Sequence, residues 1–328
     1  MTITNRIKYI DSLRAVAIIL MFYAHLLPHY TEIGTSINFA ERLFSSLAAP
    51  IFLFLLGINF KRTSTFYKTL QRALIVFGLA SIIDLFIWGI YPFYSFDVLY
   101  TIGFSLLFLQ LITRFNNGVK IGLLILLFLA TVFLTVQNQY ELTLSEPYLG
   151  QEYYIFDVAF NLFINGWFPL IPWLAFPLLG HLAQKLTFDH IAIRFFGIFT
   201  FIAGVWLFYN YDFGKRPLAV EIFYPAHLIY LFISITWLAS IWSNRRILNN
   251  IAFRWLDPIG KTSFFLYGFH LTCYHFFADY LIALGLNKWL VFTVFFIMFY
   301  STAMLLKQLK ASWKFYANSQ VLRIILGD

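Results

Sequence analysis

The chain has 328 residues, of which 61% are hydrophobic, 21% aromatic and only 12% charged, and its mean hydropathy is +0.76. An ordinary soluble domain of this size does not show those proportions, which read as one integral membrane domain over 1–328. The net charge of +8 does not imply nucleic acid, because the basic residues fall in short gaps between apolar stretches, and the single cysteine, Cys273, excludes an intrachain disulfide.

The first stretch, MTITNRIKYIDSLRAVAIILMFYAHLL, imitates a signal peptide with its basic lead and apolar core. It lacks an A-x-A-like cleavage site and many further apolar stretches follow, so it reads as a retained first helix. A helix needs about 20 apolar residues to cross the hydrocarbon core. About ten stretches qualify: 12–29, 42–60, 69–91, 97–114, 119–137, 166–184, 193–210, 219–242, 259–280 and 288–306. The expected fold is therefore all-α, a polytopic bundle of about ten membrane helices. Between the fifth and sixth spans lies an outer loop, 137–165, whose segment YYIFDVAFNLFIN at 153–165 is too short to cross and reads as interfacial or re-entrant.

An even number of spans puts both termini on one side. Of the 23 basic residues, all but Arg42, Lys215, Arg216 and Lys288 then fall on that side, which makes it cytoplasmic. The opposite face is acidic and aromatic.

Ionisable residues at membrane depth are costly and usually face a cavity or a partner. Arg14 sits at the cytoplasmic interface, and His25 lies roughly 16 Å further out along the same helix, with His29 near the outer surface. Asp84, about 18 Å beyond Arg72 on the third span, reaches a similar depth and could orient an imidazole or simply hydrogen-bond a Trp or Tyr. His270 lies about 14 Å beyond Lys261 and comes near the midplane. His227 enters from outside on the eighth span. For His181, His190 and His275 a plain interhelical hydrogen bond is the expected role.

In NGWFPLIPWLAFPLLG, prolines at 169, 172 and 177 interrupt a span, and such a helix is tolerated where protein or a water-lined cavity satisfies the freed carbonyls. It reads either as a kinked packing helix or as the wall of an outward-opening cavity with Asn165 and Trp167 at its mouth. None of the soluble-enzyme motifs is present, neither P-loop, G-x-G-x-x-G, H-E-x-x-H nor G-x-S-x-G. His25 and His29 have a spacing that could hold a metal, but nothing on that helix completes a site, so no metal is expected.

In chain order, RIKYIDSLRAVAIILMFYAH, APIFLFLLGINF, GWFPLIPWLAFPLLG, FYPAHLIYLF and IGKTSFFLYGFHL resemble the bacterial relatives of heparan-alpha-glucosaminide N-acetyltransferase, within the superfamily of multi-pass membrane acyltransferases. The resemblance covers nearly the whole chain. It implies transfer of an acetyl group from cytoplasmic acetyl-CoA, as co-substrate, to a sugar hydroxyl or amine across a bacterial cytoplasmic (inner) membrane. On that model Arg14, Arg72 and Lys261 would grip the CoA phosphates. His25 or His29 would act as general base, with Asp84 in support, and Asn165, Trp167, His227 and His270 would meet the glycan acceptor. The chain departs from the family's opening in having Ala15 where glycine is usual. In the animal enzyme an asparagine matches His25 and the proposed active histidine lies further along the first outer loop, where His29 is this chain's one histidine. The competing function is a proton-coupled transporter or flippase of a glycolipid or sugar, against which stands the lack of a repeat-related pair of broken helices. The acceptor's identity is open, and so is the oligomeric state, a homodimer included.

Overall fold

The computed structural model describes residues 8–27, 36–61, 65–137, 149, 152, 154–185, 191–210, 226, 228–251, 254–312, 316 and 319–326. They form two compact units, one of residues 1–51 and 241–328, the other of residues 52–240.

In the first unit, α1 (Lys8–Leu26), α2 (Ser36–Ser46) and the start of α3 (Ala48–Asn59) assemble with the C-terminal part of the chain. That part comprises α12 (Arg245–Ile251), α13 (Asp257–Lys261), α14 (Ser263–Cys273), α15 (Asp279–Ala283), α16 (Lys288–Ser312) and α17 (Gln320–Leu326). The decisive contact is at Gly260, where a Cβ would stand 1.8 Å from the Asp11 carbonyl oxygen. Only a hydrogen fits between these backbones, so α1 and α13 cross in direct contact. Further along, Phe22 packs on Phe295 and Phe299 of α16 at 4.7 and 5.2 Å between ring centres, and Phe269 of α14 meets Phe299 at 6.0 Å. At the start of α16, Lys288 pairs with Glu41 of α2 at 2.9 Å. The turn into α16 uses Gly285 at φ +73, a left-handed conformation that glycine adopts without strain.

In the second unit, α4 (Phe66–Ile83), α5 (Val98–Ile112), α6 (Asn117–Gln137) and α9 (Ala175–Ala183) enclose an apolar core that includes Leu106, Leu109, Leu127 and Leu178. Two glycines let the second half of α3 touch α9: a Cβ on Gly57 would meet the Pro177 carbonyl oxygen, and one on Gly180 the Phe54 carbonyl oxygen, each at 2.0 Å. Close approach through small residues is how apolar helices pack where lipid removes the hydrophobic drive. The unit also holds α7 (Ile155–Phe160), α8 (Leu170–Trp173), α10 (Ile191–Asn210) and α11 (Leu228–Ser243). Thr200 of α10 and Thr236 of α11 share a hydrogen bond of 2.6 Å. On α10, Ile191, Phe195, Phe199, Ile202 and Trp206 recur at helical spacing and are all exposed, the stripe expected of a face turned to lipid.

All ten stretches expected to span carry helix, and among the described residues six runs are long and apolar enough to cross a membrane: Tyr9–Leu26, Ala40–Asn59, Phe66–Trp88, Asn117–Leu134, Ile155–Ala183 and Lys288–Ser312. Val98–Ile112, Ile191–Leu207 and Leu228–Ser243 are apolar but shorter. The stretch 259–280 is assembled from α13, α14, a π-helical turn at Tyr274–Ala278 and α15. In segment 153–165, α7 and a π-helical turn at Asn161–Asn165 belong to the same long apolar run as α9. The prolines divide that run, with Pro169 extended and Ile171 non-helical before α9 resumes at Ala175.

Candidate functional site

In the first unit α1 and the α13–α14 segment run side by side from a shared end. They touch at Asp11 and Gly260. From there fourteen residues of α1, about 21 Å of helix, lead to His25, and an equal number lead from Gly260 to Tyr274. The ring contact obeys that register: His25 lies 5.5 Å from Tyr274 and 5.5 Å from His270, one turn earlier on α14. Tyr267 closes on His270 edge-on at 5.3 Å.

The two imidazoles differ in access. His25 is half-buried, whereas His270 is 0% exposed. Neither ring nitrogen of His270 makes a hydrogen bond. The carbonyls of Leu266 and Tyr267, on the preceding turn, bear on the ring without meeting hydrogen-bond geometry. A buried polar atom without a partner costs about 1–3 kcal/mol and is rare in a native fold. Leu or Phe would pack in its place at no such cost. At the shared end stand two of the cations expected to meet a phosphate: Arg14, whose Nη1 is 3.3 Å from Asp11, and half-buried Lys261.

Asp84 belongs to the second unit, where the chain leaves α4 through a π-helical turn, Asp84–Trp88. Its carboxylate is sealed and accepts hydrogen bonds from Ser95 at 2.9 Å and Tyr100 at 2.7 Å. The Phe93 amide in turn donates to the Tyr100 hydroxyl at 2.9 Å. Of the two roles the sequence allowed Asp84, these bonds supply the hydrogen bond to a Tyr. Phe93 and Phe96 both have positive φ, 67 and 46, a conformation costing about 1–3 kcal/mol apiece in a bulky residue, and they bracket the turn that brings Ser95 to the carboxylate.

That turn is tied to the mouth of the proline-broken segment. The Trp167 and Phe168 amides donate to the Ser95 and Phe96 carbonyls at 2.9 and 3.0 Å, and Thr101 donates to the Phe168 carbonyl. Asn161 donates to the Tyr94 carbonyl at 2.9 Å, and the Tyr94 hydroxyl to Asp157 at 2.8 Å. Asn165 is buried in the π-helical turn, and the Trp167 ring stands edge-on to Trp88 at 5.7 Å. Asn165, Trp167 and Asp84 are thus parts of one hydrogen-bonded region.

Arg72 is exposed on α4. His29 and His227 lie outside the described residues, as does His190. His181, expected to make an interhelical bond, meets buried Lys120 of α6 at 3.2 Å. His275 is exposed, with its ring against Phe276 at 4.8 Å. The sequence singled out His25 and His270 separately; their contact was hidden because residues 245 positions apart share no local pattern, and Tyr274 was not singled out. The similar distances of His25 from Arg14 and of His270 from Lys261, roughly 16 and 14 Å along the helices, were the one available signal. Lys120 was passed over as a topological cation, and its neighbour in a span gives it away only in the fold.

The family model described as heparan-alpha-glucosaminide N-acetyltransferase, catalytic, matches residues 6–227. No curated protein and no solved structure matches the chain.

Proposed function

Because the chain belongs to the heparan-alpha-glucosaminide N-acetyltransferase catalytic family, we propose that it moves an acetyl group from cytoplasmic acetyl-CoA to an amine or hydroxyl of a sugar at the outer side of a bacterial cytoplasmic membrane. The observation that carries this reading beyond the family is the layout of the first unit. Cations suited to phosphates, Arg14 and Lys261, stand toward one end of two adjacent helices, and His25 stands roughly 16 Å beyond Arg14, beside His270. The excess of basic residues at the Arg14 end supports a cytoplasmic donor.

His25 is the general base. It takes the proton from the acceptor nitrogen or oxygen as that atom attacks the acetyl carbonyl; the thioester C–S bond breaks, and the sulfur leaves with the proton as coenzyme A. Arg14 and Lys261 hold the donor's phosphates, with Arg able to do so by paired hydrogen bonds. Asn165 and Trp167 offer an amide and an aromatic face to a sugar, and His227 is assigned with them to the acceptor. His29 is the alternative base.

The deciding experiment uses purified full-length protein in detergent. Acetyl-CoA should raise its unfolding temperature, and at a hundredfold over the dissociation constant the gain is about 2.7 kcal/mol. Arg14→Ala should blunt that gain, and methyl α-glucosaminide should release coenzyme A from acetyl-CoA. Neither stabilisation nor thiol release from the wild type would overturn the acetyltransferase reading.

A further inference from the structure

Neither ring nitrogen of His270 meets a partner at hydrogen-bond geometry, and that is the property to explain. A neutral imidazole carries one N–H and one lone pair. Both are buried here. The nearest chemistry is the His25 ring at 5.5 Å, on the neighbouring helix that Gly260 locks in register. Access divides the pair. His25 is half-buried, and His270 touches none of the surface.

Resting on the acetyltransferase reading above, we propose that His270 is the positioning residue of His25: its unprotonated ring nitrogen accepts the N–H of His25 when His25 takes the acceptor's proton. In the catalytic triads a buried group holds the imidazole and stabilises the imidazolium without becoming protonated itself. A neutral imidazole does the same here without placing a second charge at membrane depth. The step balances. The acceptor's proton bonds to one nitrogen of His25 as the new bond to the acetyl carbon forms. The other nitrogen of His25 keeps its hydrogen and donates it to His270. When the C–S bond breaks, the proton gained by His25 goes to the departing sulfur, and both histidines are neutral again. The missing hydrogen bond in the resting state is consistent with contacts that tighten only in the loaded enzyme.

The proposal separates from a packing role through a double-mutant cycle on coenzyme A release with methyl α-glucosaminide as acceptor. Replacing His270 by Leu should lower kcat by roughly a hundredfold, with KM for acetyl-CoA and the thermal shift it produces unchanged. His270→Gln, which keeps a hydrogen-bond acceptor, should recover at least tenfold of that loss. In a His25→Ala background His270→Leu should cost nothing further, because groups acting as a unit are not additive. If the Leu variant does not fold, His270→Phe and His270→Gln supply the same comparison. An active wild type with His270→Leu and His270→Phe equally fast overturns the pairing alone, as does the same loss with and without His25. A wild type that releases no thiol overturns the acetyltransferase reading itself.

Discussion

As the proposed general base, His25 would need both a reachable edge and a held ring; it is half-buried, with sealed neighbours on α14. His25→Ala should therefore reduce acetyl transfer by between about 10²- and 10⁴-fold, the usual range for a general base, while the unfolding midpoint in detergent moves little. His29→Ala is the comparison, and the larger loss in that variant would move the base to His29. Asp84 calls for a different measurement. Its two hydroxyl partners satisfy it in a sealed place, so Tyr100→Phe, which leaves a buried acceptor short of a donor, should destabilise the protein by about 1–3 kcal/mol. Chemical unfolding checks this, and an unchanged midpoint would mean that Ser95 and the strained turn suffice to hold the carboxylate.

Helices α1 and α13 show how an element far from the chemistry sets its geometry. Gly260→Leu would drive a side chain into the Asp11 backbone, which cannot yield as a flexible side chain would. The helices must part, at a cost of at least about 1–3 kcal/mol, and the His25–His270 register about one helix length away is lost with them. Transfer should fall even in protein that still elutes as a folded species. Gly122→Ala on α6 is the control, since a Cβ there meets nothing within 4 Å, and it should be neutral or stabilising by up to about 1 kcal/mol. The helices themselves were legible in the sequence because apolar length is nearly the whole signal in a membrane chain. The proline break at 169–174 was legible too, since proline states locally what it forbids. The π-helical turns at Asp84, Asn161 and Tyr274 were not, because each is a one-residue change in hydrogen-bond register that the tertiary contacts select. For the same reason the sequence could name His25, His270 and Asp84 as costly residues but not assign their partners: the hydroxyls of Ser95 and Tyr100 lie eleven and sixteen residues from Asp84 around a turn built on positive-φ phenylalanines.

For the whole molecule, the proposed chemistry has a direction, and the direction rests on where the charges lie. If both termini are cytoplasmic, the link between α5 and α6 is inside and the end of α15 is outside, as the bias of basic residues requires. The chain's one cysteine makes this measurable, because Cys273 is buried and Cys273→Ala leaves a background without thiols. Exposed positions on that background are Asn116, before α6, and Ala283, at the end of α15. On intact cells a membrane-impermeant maleimide should label Ala283→Cys at once and Asn116→Cys only after permeabilisation. The reverse pattern would put Arg14 and Lys261 outside, away from cytoplasmic acetyl-CoA, and no donor could then be gripped at that end. Labelling of both from outside would mean an even number of crossings between them, and the short helices Ile191–Leu207 and Leu228–Ser243, which lie between the two positions, would be the ones to re-examine, since each is shorter than about 20 residues, the length that spans the hydrocarbon core unaided.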